Sequence, residues 1–150
     1  ETAIKYGGKP PVAKNPPWDG GVTWSRDSEG FPWVSVSCQT NGAHIWFPCK
    51  EHPSDKADGA EIIITAPEQL IAVGNGLLIS KEKQKDRWVK WHWQTKFPIS
   101  TYNINFAIGN FELVETTSYL FEDPLKIEYY YNRVWLDSAG LRRPSVTNIM

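Results

Sequence analysis

The chain is short of the residues that most often carry chemistry or mark a compartment: 2 cysteines, 3 histidines and 1 methionine in 150 residues. Cys38 and Cys49 are too few for a disulfide scaffold or a cysteine-rich zinc site. No apolar run approaches the ~18 residues of a membrane-spanning helix, which argues against a membrane partner. The first residues lack the basic and then apolar order of a signal peptide, although a chain starting at Glu1 leaves room for an upstream segment. With a net charge of −1 there is no basic footprint, so nucleic acid is not an expected partner. Glycine-rich phosphate loops and nucleophile elbows are also missing.

What the sequence does have is aromatic residues, 8 Trp, 6 Tyr and 6 Phe, which favour strands and binding faces. From Lys5 to Gly21 the backbone is rich in proline and glycine and has no periodicity, so it is expected to run across a surface. Val22–Trp24 and Phe31–Ser37 alternate around Asp27-Ser28-Glu29-Gly30, a hairpin signal. Asp27 and Glu29 could hold calcium, but a solvated turn explains them better.

Trp46 to Ala57 carries two prolines among aromatics and charges, and reads as an irregular connection. Further strands are expected at Ile62–Thr65, Ile71–Val73 and Leu77–Ser80, the last two joined by a tight turn at Gly74-Asn75-Gly76. Lys81 to Arg87 reads as a charged loop. Trp88 to Gln94 has period two, with Trp91 and Trp93 on one face and Lys90, His92 and Gln94 on the other. Trp88, Trp91 and Trp93 could form a sugar-stacking platform, although alternating aromatics in a strand more often make a sheet core, and the first alternative makes the chain a carbohydrate-binding module.

A bridge from Phe97 to Tyr102 leads to an apolar strand at Ile104–Ile108, followed by alternating runs at Leu113–Phe121 and Leu125–Tyr131. Tyr129-Tyr130-Tyr131 fits a strand end. None of these segments reaches a helical dozen, so the expected fold is all-β, an antiparallel sandwich or curved saddle-like sheets. After Asn132 the pattern dissolves. If Asn41-Gly42 were a two-residue hairpin turn, Cys38 would face Ile45 and Cys49 would face Val34, which argues against a disulfide. Cys49 has no base placed beside it and reads as a small hydrophobe.

Six motifs in order add a resemblance. They are Tyr6-x-Gly8-x-Pro10; Pro17-Trp18-x-Gly20-Gly21; Cys38-Gln39; Trp46-x-Pro48-Cys49 with Pro53-x-x-Lys56-Ala57; Ala72-Val73-x-Asn75-Gly76; and Pro98-Ile99-Ser100-Thr101-Tyr102 with Ala107-x-Gly109-x-Phe111. Together they resemble the N-terminal β-domain of zinc aminopeptidases of the gluzincin family M-one, which contains aminopeptidase N and leukotriene hydrolase. Glu51 departs from the pattern, since the family more often has Asp there.

The resemblance implies a partial β-domain over residues 1–131, lacking its first strands, and a tail or interdomain linker over 132–150. It also implies a scaffold role beside a following catalytic domain, which would be its partner. In the family that domain binds zinc through His-Glu-x-x-His and a downstream Glu. This motif does not occur here, and His44, His52 and His92 are not spaced to build it. The expectation is therefore no catalytic, cofactor or metal residue in this fragment, with zinc belonging to a longer parent that cleaves N-terminal residues from peptides.

One role carries over by position. The residue after the cysteine of the Cys38-Gln39 pair reaches the family's cleft and recognises the peptide substrate's free α-amino group, which makes Gln39 the substrate-binding candidate. The same resemblance puts Gln39 in a loop bending toward the cleft. That competes with strict pairing across Asn41-Gly42 and weakens the argument against a disulfide.

Overall fold

The computed structural model describes residues 2–39, 42–119 and 123–133. Nine strands are described: β1 (Gly21–Arg26), β2 (Pro32–Ser37), β3 (Ala60–Pro67), β4 (Ile71–Val73), β5 (Leu77–Lys83), β6 (Trp88–Thr95), β7 (Ala107–Gly109), β8 (Phe111–Ser118) and β9 (Leu125–Asn132). The remaining named elements among the described residues are three single 3-10 turns, at Ala43–Ile45, Lys85–Arg87 and Thr101–Asn103. Strands pair antiparallel in the orders β1-β2-β7-β4, β3-β6-β5 and β8-β9, and no sheet closes into a barrel. The all-β expectation therefore holds for the described residues.

The period of β6 explains how the sheets meet. Val89, Trp91 and Trp93 point inward at 2%, 4% and 2% exposure, and opposite them on β3 stand Ala66, Ile64 and Ile62. Ile71, Ala72 and Val73 of β4 and Ile108 of β7 pack onto this face, joined by Ile104 and Tyr130. Burial of these side chains is the main force holding the two larger sheets together, at roughly 1.5–3 kcal/mol for each large apolar residue. Trp91 and Trp93 are thus core residues, and neither offers a face on which a sugar could stack; Trp88 lies on the opposite face of β6 at 43% exposure, so the three do not form one platform.

A second cluster, Val22, Val36, Cys38, Ala43 and Ile45, lies under the start of the Trp46–Ala57 stretch. Trp46 bridges it to the first cluster, with Phe47 and Phe106 packed edge-on at 4.6 and 5.2 Å. Cys38 lies in this cluster and Cys49 packs against it; both are free thiols, and burial pushes both thiols up.

Three expectations need correction. The apolar strand at Ile104–Ile108 is only β7, because the Ile104 amide donates to the Thr101 carbonyl (3.0 Å) and the Asn105 amide to Asn75 Oδ1 (2.9 Å). Those amides are spent before they could enter a ladder, and Ile104 is buried without being in a strand. The charged loop at Lys81–Arg87 is strand as far as Lys83, where Lys81 and Glu82 pair with Trp91 and Lys90. As an exposed edge strand, β5 has no apolar face for its charges to interrupt. Among the described residues the neighbours of β2 are β1 and β7, so the expected pairing of β2 with the segment after Gly42 is not made, and the Gly42 amide donates to the Cys38 carbonyl at 2.9 Å.

The hairpin between β1 and β2 is present, and Asp27 closes it by accepting hydrogen bonds from the Glu29 and Phe31 amides at 3.1 and 2.9 Å. This carboxylate is committed to a turn. The strand expected at Leu113–Phe121 is β8, which begins two residues earlier and ends at Ser118, before Tyr119; residues 120–121 of that expectation and most of the expected tail, residues 134–150, lie outside the described residues.

Candidate functional site

The site is built where the end of β2 meets the 3-10 turn at Thr101–Asn103. Cys38 is buried and the next residue, Gln39, is exposed, so the chain leaves the core within a single residue. The Gln39 side-chain carbonyl accepts a hydrogen bond from the Tyr102 hydroxyl. A carboxamide oxygen has two lone pairs, so this bond orients the group and leaves one acceptor position open.

Tyr102 is itself held on both sides. Thr101 Oγ1 donates to the Lys50 carbonyl at 2.9 Å, tying the turn to the Trp46–Ala57 stretch. On the other side Asn75 Nδ2 donates to the Asn103 carbonyl at 3.0 Å. Beside the turn opens a cavity of ≈ 370 Å³, lined among others by Gly42, Glu51, Pro53, Thr101 and Tyr102.

Glu51 is the charged group of that cavity. Its Oε1 accepts the His44 amide at 2.8 Å and faces His44 Nδ1 at 2.6 Å. The His44 amide above all, and then the His44 side chain, hold the Glu51 carboxyl below the ordinary glutamate range. A carboxyl that titrates lower folded than unfolded gives its stabilisation in full above the ordinary range and loses it as pH falls through the folded value. On acid titration, the His44 amide resonance is expected to move with a midpoint below that of an ordinary glutamate, and Glu51→Gln should abolish that step. A midpoint at or above the ordinary glutamate value would contradict the arrangement.

A larger groove of ≈ 590 Å³ lies between the segment 6–11 and Trp24, Trp46, Phe47 and Phe106. Its walls are largely apolar, and it lacks the convergence of polar groups seen around Tyr102. Among the described residues no three His, Cys, Asp or Glu side chains gather as a metal site. The histidines are dispersed, His44 on Glu51, His52 on Ser54 Oγ (2.7 Å) and His92 on Glu61 Oε2 (3.2 Å). A zinc ion therefore does not fit the side chains described.

Gln39 lies on exposed irregular backbone just after β2. Tyr102 and Asn75 were visible in the sequence as motif positions, but their link to Gln39 was not. The only signal for it was their place among ordered motifs, since 63 residues separate Tyr102 from Gln39.

The family model for the peptidase M1 N-terminal domain matches residues 22–103. Glutamyl aminopeptidase of Homo sapiens is 28% identical over 97 residues, covering 65% of this chain and 10% of that protein. The Sus scrofa protein of the same name is 35% identical over 72 residues, 48% of this chain and 8% of that one. Among solved structures, the M1 zinc metallopeptidase from Deinococcus radiodurans matches with a TM-score of 0.62 at 21% identity, over 81% of this chain and 27% of that chain. A mutant of that enzyme bound to a Tyr-Ser-Ala substrate gives 0.65 at 21% identity, over 84% and 28%. The chain thus spans about a tenth of the length of the curated relatives it matches.

Proposed function

The chain belongs to the peptidase M1 N-terminal domain family, and from that premise we propose that it walls one side of the cleft of a longer zinc aminopeptidase and presents Gln39 to the amino end of a peptide. The observation that carries this reading is the exposed Gln39 carboxamide, its oxygen oriented by the Tyr102 hydroxyl and still able to accept one more hydrogen bond. A peptide's α-ammonium is a donor suited to that position. A neutral acceptor recognises it without paying for the burial of a carboxylate. The zinc ligands of such an enzyme would come from a catalytic domain outside this chain, and that domain would be its partner.

The test is steady-state kinetics of the full-length parent on peptides with a free amino terminus. A hydrogen bond to a charged group is worth about 1.5–3 kcal/mol, so Gln39→Ala should lower kcat/KM roughly 10- to 100-fold. Gln39→Glu, which keeps an acceptor, should retain most of the activity. Unchanged kinetics in Gln39→Ala would remove Gln39 from the site.

A further inference from the structure

We propose that Asn75, in the turn between β4 and β5, is a positioning residue for Gln39 that acts through Tyr102; the proposal rests on the substrate-binding reading of Gln39 given above. The Asn75 side chain is half-buried and both ends of its carboxamide are used. Nδ2 donates to the Asn103 carbonyl at 3.0 Å, and Oδ1 accepts the Asn105 amide at 2.9 Å. A carbonyl and an amide flanking one residue are what a neighbouring strand would bind, so the side chain replaces a strand at the place where the sequence leaves the ladder.

This clamp closes directly behind Tyr102. Thr101 is fixed ahead of it by the Lys50 carbonyl and Asn103 behind it by Asn75, which leaves the ring of Tyr102 held at its base from two sides. An O–H···O bond tolerates a heavy-atom range of only about half an ångström. A small tilt of the turn, magnified along the tyrosine side chain, is enough to take the hydroxyl off Gln39. No other residue type of this size offers one donor and one acceptor in this fork except Gln, which is longer.

Two measurements test the proposal. In the full-length parent, Asn75→Ala should raise KM for free-amino peptides about fivefold with kcat nearly unchanged, as expected for about one net hydrogen bond. Asn75→Asp, which keeps the acceptor for the Asn105 amide, should fall between Asn75→Ala and the unmodified enzyme, and it carries the test if Asn75→Ala fails to fold. In a Gln39→Ala background the Asn75 substitution should add nothing further. The same loss in both backgrounds would show a merely structural role and overturn the proposal, as would no change at all in the presence of Gln39.

The second measurement does not depend on activity. In the 150-residue chain, the Gln39 side-chain amide resonance should shift on Tyr102→Phe and shift in the same sense on Asn75→Ala or Asn75→Asp. A Gln39 resonance that follows Tyr102→Phe but ignores Asn75 overturns the clamp. If Gln39→Ala leaves catalysis untouched while the resonances shift together, the substrate-binding reading has failed and the positioning has not.

Discussion

Trp93→Ala is expected to destabilise the chain by about 4 kcal/mol, the upper range for truncating a buried aromatic. Trp93 is 2% exposed and lies where β6, in the β3-β6-β5 sheet, faces the other larger sheet, opposite Ile62 on β3 and against β4. Its ring meets Tyr130 edge-on at 5.9 Å, so it also couples the β8-β9 hairpin to the core. Its Nε1 donates to the Ala72 carbonyl at 3.0 Å, a buried hydrogen bond between sheets.

Truncation therefore removes apolar burial, leaves a cavity and strips the Ala72 carbonyl of this donor at once. Trp93→Phe separates these effects, because it keeps most of the volume and loses only the donor, for about 1–3 kcal/mol. Trp88, on the outer face of the same strand at 43% exposure, is the control, and Trp88→Ala should cost under about 1 kcal/mol. Urea denaturation midpoints give the comparison. With total stabilities of domains at about 5–15 kcal/mol, Trp93→Ala should consume a large part of the margin. Equal losses at positions 88 and 93 would mean that β6 is not buried in this register.

Trp93 also marks how far sequence reasoning reaches. The alternation from Trp88 to Gln94 showed which side chains share a face, because side-chain direction follows from strand period alone. It did not distinguish a buried face from a binding face, since both are aromatic; the facing Ala72, Ile71 and Val73 decide that, and they come from another sheet. Errors arose where polarity was taken as a guide to hydrogen bonding. Ile104 is apolar because it is buried, yet its amide turns back to Thr101; Lys81 and Glu82 are charged because β5 is an edge, yet they pair with β6. Gln39 was readable only through its motif. Its partner Tyr102 and the Asn75 clamp depend on the meeting of three distant segments, and no local pattern encodes such a meeting.

Gly76→Ala should cost about 2–4 kcal/mol and at the same time weaken the site. Gly76 has φ +87, a left-handed conformation that costs a residue with a Cβ roughly 1–2 kcal/mol. A Cβ there would also lie 2.0 Å from the Gln94 carbonyl oxygen and 2.7 Å from the Thr95 amide nitrogen. Those atoms are the backbone of β6, paired with β5 at Leu77↔Gln94, so relief requires the end of the strand pair to separate.

Gly30→Ala isolates the first of these costs, because Gly30 has φ +85 but open space around its missing side chain. The difference between the two variants, about 1–2 kcal/mol, measures the steric conflict with β6. Identical losses would mean that the β4-β5 turn does not press on β6. Because Asn75 is the preceding residue, displacement of this turn should carry its carboxamide away from Asn103 and Asn105. In the full-length parent, Gly76→Ala should therefore raise KM in the manner of Asn75→Ala, while Gly30→Ala, in the turn between β1 and β2, should lower stability and leave KM alone.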